Sequence, residues 1–255
     1  MKKRRLDVLV AARGLAESRE KAQRLILAGE VLVDDAPAGK PGHEYPEDCA
    51  IRVRHPERYV GRGGLKLDGA FESFEGFDPT GLVCADVGAS TGGFTDCLLQ
   101  HGAAKVYAID VGHGLLHPRI ANDPRVVVMD GVNARNLQAA DLPEAVDCAV
   151  TDVSFISLKL ILPAIDRILR PGGQVVALIK PQFEAGREDV GRGGVVRDEA
   201  VRARVVEEIR AFGTGEVGWE WLACRESPIK GPAGNVEFLS WWRKKEGGPT
   251  RYLDI

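Results

Sequence analysis

The sequence predicts an α/β protein in two parts. Residues 1–60 read as a small N-terminal α+β module, and residues 61–255 as a larger domain built on a parallel sheet with helices on both faces. Three observations predict this. Basic residues crowd the first two dozen positions, apolar strand-like runs alternate with helical segments after residue 60, and five of those runs end in a charged residue.

The chain of 255 residues, 44% of them hydrophobic, can bury the core of one full-size domain plus a small appendage. Its formal net charge is −3. Residues 1–24 carry eight basic and three acidic side chains, a local +5, which leaves −8 for the rest. A basic end on an acidic body is expected to face a polyanion; the competing reading is a merely solvated terminus. None of the five cysteines forms a C-x-x-C pair, so they read as reduced core thiols of a cytoplasmic protein. The Met1-Lys-Lys-Arg-Arg start is not read as a signal peptide, because the apolar stretch after it is short and is interrupted by Asp7 and Arg13. No apolar run approaches the roughly 20 residues of a membrane span, so no membrane partner is expected. The five histidines show no ligand spacing, and no metal is expected.

In the N-terminal module, Leu6, Leu9 and Val10 share one face of a short helix that Gly14 ends. Ser18 is placed to cap a second helix with Ala22, Leu25 and Ile26 as its apolar stripe, and Gly29 closes it. Glu30–Asp35 reads as a strand entering a turn, residues 35–50 as turns rich in proline and glycine, and Ile51-Arg-Val-Arg as another strand. Arg4, Arg5, Arg13, Arg19, Lys21 and Arg24 fall largely off the apolar stripe and are expected to be available to a phosphate backbone. Arg58-Tyr-Val-Gly-Arg-Gly-Gly reads as a connector.

The larger domain shows strands at Leu82–Val87, Lys105–Ile109, Arg125–Met129, Ala145–Val150 and Gln174–Ile179. Continuous apolar runs of this kind mark a parallel sheet covered on both faces. A helix near residues 198–212 follows, then Trp219–Cys224 and Val236–Trp242, which read as a terminal hairpin. The five main strands reach Asp86, Asp110, Asp130, Asp152 and Lys180. Ligands of open α/β sheets bind at the carboxyl ends of the strands, so these charges converge on one crevice. Asp86 opens a turn holding Gly88, Ser90, Gly92, Gly93 and Phe94, which is neither a Walker A loop nor a clean G-x-G-x-x-G. Asp110 is placed to hold two ribose hydroxyls, and Asp130 fits an adenine amino group. Asp152 sits where a methyl donor and its acceptor would meet.

Asp86–Phe94, Asp152 and Lys180-Pro-Gln-Phe resemble the FtsJ-related methyltransferases, which implies a Rossmann-like class I methyltransferase domain using S-adenosyl-L-methionine. Arg5-Leu-Asp-Val-Leu-Val, Arg13-Gly-Leu-Ala-Glu-Ser-Arg and Ala28-Gly-Glu-Val-Leu-Val look like the RNA-binding domain of ribosomal protein S4. Together with Arg62-Gly-Gly-Leu-Lys66-Leu, Gly193-Gly-Val-Val-Arg and Gly234-Asn-Val-Glu237-Phe, the chain resembles the TlyA family of ribosomal RNA 2′-O-methyltransferases, often labelled hemolysins. Gly61 departs from the serine expected before Arg62-Gly-Gly. The resemblance implies a catalytic tetrad of Lys66, Asp152, Lys180 and Glu237, with Lys180 taking the proton of a ribose hydroxyl. It also implies cytidine in ribosomal RNA as substrate, and a reaction that needs no metal.

Alternatives stay open at this stage. An exocyclic-amine methyltransferase would show an Asn/Asp-Pro-Pro-Tyr-like turn where Asp152-Val-Ser-Phe stands, and a cytosine-C5 enzyme would need a cysteine near the donor, whereas Cys148 lies inside a strand. A nicotinamide oxidoreductase, a membrane-lytic protein and a non-catalytic RNA-binding factor are further readings. Lys66 taken alone reads as a solvated linker lysine, and Gly186–Gly194, with Arg187 and Arg192, as a lid or a surface loop.

Overall fold

The computed structural model describes residues 2–54 and 57–246. The chain divides into two compact units, Met1–Arg58 and Tyr59–Ile255.

In the first unit, β1 (Lys3–Arg5) leads into α1 (Leu6–Ala12), followed by α2 (Arg19–Leu27), β2 (Val31–Val33), β3 (Ala36–Pro37), β4 (Glu44–Pro46) and β5 (Ile51–Val53). The Ser18 hydroxyl accepts from the Lys21 N–H at 3.1 Å and caps α2. Leu6, Leu9, Val10, Ala22 and Ile26 meet Val31, Val33 and Cys49 in one core. Residues 35–50 are more ordered than their proline and glycine content predicts. Within them β3 pairs with β2, and β4 pairs with β1, a strand absent from the sequence reading because three exposed basic residues carry no apolar alternation.

The second unit opens with α3 (Gly63–Ser73) and β6 (Val83–Val87), then α4 (Gly93–Gln100), β7 (Lys105–Asp110), α5 (Pro118–Ala121) and β8 (Val126–Asp130). It continues with β9 (Val146–Thr151), α6 (Leu162–Ile168), β10 (Leu169–Ile179), α7 (Pro181–Glu184), α8 (Glu199–Gly215), β11 (Glu220–Glu226) and β12 (Phe238–Arg243). The seven strands run in the order β11-β12-β10-β9-β6-β7-β8, with β10, β9, β6, β7 and β8 parallel. Val, Ile and Ala side chains of the central strands are fully buried on both faces. Connections leave β6 toward β7 on one side and return to β9 on the other, so the chain reverses direction between β6 and β9. That switch point is where an open sheet leaves a crevice for a ligand.

The last two strands do pair, but not as a free-standing hairpin. β12 inserts against β10, antiparallel to it, and β11 takes the edge. The register Ile179↔Phe238 brings Glu237, just ahead of β12, beside Lys180, just past β10.

The segment that reads as a connector belongs to the core of the second unit. Tyr59 is buried, and its hydroxyl donates to Asp68 Oδ1 at 2.9 Å. The Val60 N–H donates to Asp96 Oδ2 at 2.8 Å. Lys66 therefore lies on a packed helix, with Leu67 and Ala70 of α3 in the core cluster. Glycines conceal this helix in the sequence because they lower its propensity, yet here they allow contact. A Cβ at Gly93 would stand 2.9 Å from the Gly64 nitrogen and 3.1 Å from the Gly61 oxygen, so the start of α4 touches the start of α3 backbone to backbone.

Gly93→Ala is expected to force these helix starts apart. The cost is about 2 kcal/mol, a fall in melting temperature of roughly 4–8 °C for a domain of this size, read by thermal denaturation monitored by circular dichroism.

Candidate active site

At the switch point, β6 runs into a tight loop. Gly88 and Gly92 take φ of +86° and +90°. Ser90 adopts φ +49°, a backbone conformation that is costly for a residue with a Cβ. The Asp110 carboxylate, at the end of β7, holds the loop, accepting from the N–H groups of Ser90 and Gly112 at 2.8 Å each. The loop leaves two adjoining cavities. The larger, about 600 Å³, is lined by Asp110 and by apolar side chains including Ile109, Val111, Leu115 and Ile161. The smaller, about 230 Å³, contains Lys66, Phe94 and Lys180. Gly88, Ser90, Asp152 and Ser154 line both.

Three charges line the smaller cavity, Lys66, Asp152 and Lys180, and a fourth, Glu237, is buried behind Lys66 outside the lining. Lys66 Nζ lies 2.7 Å from Glu237 Oε2 and 3.2 Å from Asp152 Oδ2. Lys180 Nζ lies 2.5 Å from Asp152 Oδ1 and donates to the Ser154 hydroxyl at 2.8 Å. Lys66, Lys180 and Glu237 are buried, and Asp152 is slightly more open. The order is Glu237–Lys66–Asp152–Lys180, alternating in sign and summing to neutral. Each carboxylate offsets the cost of taking an ammonium out of water. α3, the loop after β9, the end of β10 and the approach to β12 each supply one member.

The cofactor-binding residues expected from sequence fall into two groups. Gly88, Ser90, Gly93, Phe94, Asp110 and Asp152 line a cavity. Asp86, Gly92 and Asp130 are absent from both linings. Asp130 Oδ2 accepts from the Gly114 N–H at 2.8 Å and so shapes the loop after β7. Asn133 and Arg135, three and five residues past the end of β8 and outside any apolar periodicity, line the larger cavity. Phe155 is a further residue the sequence reading passed over. It is 90% exposed, holds φ +63°, lines the larger cavity and packs on Phe183 with ring centroids 5.0 Å apart. Gly186–Gly194 is pinned as well. Asn235 accepts from the Val196 N–H and donates to the Gly194 carbonyl, and Arg204 pairs with Asp189, while Arg187 and Arg192 stay exposed.

Asp86 is fully buried beneath the loop and accepts from the Thr95 hydroxyl at 2.7 Å, while its Oδ1 has no partner. Burial, reinforced by repulsion from Asp152 and Asp110 and only partly offset by Thr95, pushes its carboxyl up to about 7. Cys148 is buried in β9, its thiol raised well above the ordinary range by its neighbour Cys84 and by burial, so it is a core residue and no nucleophile. Among the described residues, Asp68, Cys97 and His101 bring donor atoms within 4.8 Å of one another, a proximity the histidine spacing did not reveal. Asp68 Oδ1 accepts from Tyr59 and lies 3.1 Å from His101 Nε2.

The basic residues of the first unit are not equivalent. Arg13 donates to the carbonyls of Cys49 and Glu47 at 2.6 Å each and fastens a loop. Arg4 pairs with Glu47 and Lys21 with Glu57. Arg5 and Arg19 both hold Asp7. Arg24 is exposed.

A mainly parallel sheet with a glycine loop at its switch point, an acidic second strand end and an apolar cavity defines a Rossmann-like cofactor-binding domain. The chain belongs to the FtsJ-like methyltransferase family, whose model matches residues 59–244, with an S4 domain over residues 4–48. It is 48% identical over 240 residues to YqxC of Bacillus subtilis, covering 93% of this chain and 85% of that one. It is 46% identical over 241 residues to the 16S/23S rRNA (cytidine-2′-O)-methyltransferase TlyA of Mycobacterium tuberculosis, covering 94% and 89%. A solved structure of a Streptococcus thermophilus protein named a hemolysin aligns with TM-score 0.75 at 43% identity over 97% of this chain and 90% of that one. No helix among the described residues is long and apolar enough to cross a membrane.

Because the folded-state pKa of Asp86 lies above the ordinary carboxylate value, its protonation favours folding at low pH, and that contribution is lost as pH rises through about 7. The ligand-free protein is expected to lose stability as pH rises from about 4 to about 7, with no further loss from this group above that. Asp86→Asn should flatten this dependence by roughly 2–4 kcal/mol, measured by urea denaturation of both proteins across that range.

Proposed function

We propose that this chain transfers a methyl group from S-adenosyl-L-methionine to the 2′-oxygen of a ribose in ribosomal RNA, with cytidine, the nucleoside named for its TlyA relatives, as acceptor. The observation that carries the reading is the alternating chain Glu237–Lys66–Asp152–Lys180, whose lysines line the smaller cavity and whose Asp152 lines both.

The donor set fits the cofactor. A cavity of about 600 Å³ is within the range of small-molecule sites. Its apolar walls suit an adenine ring and Asp110 suits a ribose diol. S-adenosyl-L-methionine, when bound, supplies an electrophilic methyl group on a sulfonium. The protein's own work is to place the acceptor and remove its proton. A ribose hydroxyl entering the smaller cavity meets Lys180 Nζ, held by Asp152 and Ser154. Lys180 Nζ, once it has released its own proton to solvent, takes the hydroxyl proton as the oxygen–carbon bond forms, and the ammonium so regenerated pairs again with Asp152. Lys66, balanced by Glu237, fixes Asp152 from the other side. Burial of the tetrad excludes water from a reaction in which alignment of oxygen, carbon and sulfur supplies much of the acceleration. Phe155 presents a ring to solvent at the cavity mouth in a strained conformation, and the acceptor base stacks on it in this reading.

The test is transfer of radiolabelled methyl from S-adenosyl-L-methionine to purified ribosomal subunits, followed by nucleoside mass spectrometry. 2′-O-methylcytidine is expected. A base-methylated nucleoside would overturn the assignment of the tetrad, and cofactor binding without transfer to either subunit would favour a non-catalytic RNA-binding role. Lys180→Ala is expected to abolish transfer, by at least about a hundredfold, while calorimetry still detects cofactor binding. Phe155→Ala should raise KM for the RNA about tenfold, the loss of one base–aromatic stack, with kcat changing less.

A further inference from the structure

Asp7 is a fully buried carboxylate on the first turn of α1, in a unit whose other charges are twelve basic and nine acidic. It makes four hydrogen bonds. Arg5 Nε donates to Oδ1 at 3.0 Å and Arg5 Nη2 to Oδ2 at 2.8 Å. Arg19 Nε and Gln23 Nε2 donate to Oδ2 at 2.9 and 2.8 Å. The Arg5 bond, outweighing the opposing effect of burial and joined by Gln23 and Arg19, holds this carboxyl far below the usual carboxylate range, so it stays charged at any working pH.

A guanidinium has five N–H groups. Arg5 uses two on Asp7 and Arg19 uses one, and both side chains remain about half exposed, 45% and 51%. The two arginines come from β1 and α2, elements that do not pair with each other, and one carboxylate ties them together. Arg13, by contrast, spends both Nη groups on backbone carbonyls and is committed to the fold.

We propose that Asp7 is a positioning residue for RNA binding, fixing Arg5 and Arg19 side by side as a fork for one backbone phosphate. The proposal rests on the reading of this unit as an RNA-binding module. The fork is pre-organised: the rotamer freedom of two long side chains is lost on folding rather than on binding RNA. Arg19 keeps both Nη groups, the edge that fits phosphate oxygens in pairs. Simple charge counting makes the opposite prediction, because an anion on a phosphate-facing surface repels its ligand, and removing it should tighten binding.

The experiment measures filter binding of radiolabelled ribosomal RNA to the full chain at several salt concentrations, with thermal melting as a fold control. The Arg5→Ala/Arg19→Ala double variant is expected to bind at least tenfold more weakly and with a shallower salt slope. Unchanged binding there would overturn the RNA-face reading itself. Asp7→Asn is expected to weaken binding about tenfold although it adds net positive charge. Equal or tighter binding by folded Asp7→Asn, with the double variant impaired, would overturn the fork while leaving the RNA face standing. Should Asp7→Asn melt the module, Arg19→Lys decides, since it conserves charge at an exposed position and removes the Nε anchor and the paired edge. It is expected to weaken binding several-fold, whereas Arg52→Lys, at an exposed arginine of the same unit that pairs with Asp35, should not. Equal affinity of Arg19→Lys and wild type would overturn the proposal.

Discussion

Two buried ammonium groups and two carboxylates share a crevice that admits little water, and none of them is tolerable there alone. Moving one charge out of water costs several kcal/mol unless an opposite charge compensates it. The alternation Glu237–Lys66–Asp152–Lys180 provides that compensation for every member. This constraint reaches far into the fold. α3 must lie close enough to α4 and β9 for Lys66 to span two carboxylates, and the approach of α3 to α4 depends on bare backbone at Gly93, where a Cβ would stand 2.9 Å from the Gly64 nitrogen. β12 must run against β10 in one register, because a slip of one residue would turn Glu237 to the other face of the sheet.

The same sheet sets the two cavities apart by chemistry. Toward β7 the walls are mostly apolar, and the carboxylate on that side, Asp110, is occupied in part with bracing the loop after β6. Toward β10 and β12 the lining is ionic. Gly88, Ser90, Asp152 and Ser154 border both, so a ligand in one cavity and a ribose in the other would meet at a short, defined boundary. In the second unit, left-handed backbone at residues other than glycine falls at Ser90, on that boundary, and at Phe155, on the larger cavity. Rigid neighbours on either side make such strain affordable, and it aims a backbone N–H in one case and an aromatic ring in the other.

The first unit solves a different problem. Its basic side chains cannot all point at a ligand, because a small module must also hold itself together. Arg13 staples a loop, Arg4 and Lys21 pair with glutamates, and Asp7 gathers Arg5 and Arg19. Charge density alone does not distinguish these duties; hydrogen-bond partners do.

Much of this protein is legible locally. Strand-length apolar runs separated by helical segments determine a parallel sheet, and a charged residue at each run's end marks the crevice, because a strand's termination and its side-chain chemistry are both properties of neighbouring residues. The Ser18 cap and the left-handed glycines of the loop after β6 are local in the same way. Lys66 and Glu237 are not. By themselves they look like solvated side chains, and only the resemblance of the flanking motifs marked them. Their burial depends on contacts across the chain, as between Lys66 and Asp152, 86 residues apart. α3, written with glycines, becomes a helix because packing against α4 outweighs propensity. Asp130 sits at a strand end like the others, yet the turn beyond it directs its carboxylate to a loop amide rather than a cavity. The sequence by itself determined which elements form and which residues stand at their ends. Tertiary structure alone decided which of those charges face one another, because pairing distances of a few ångströms arise from register and helix contact between segments far apart in the chain.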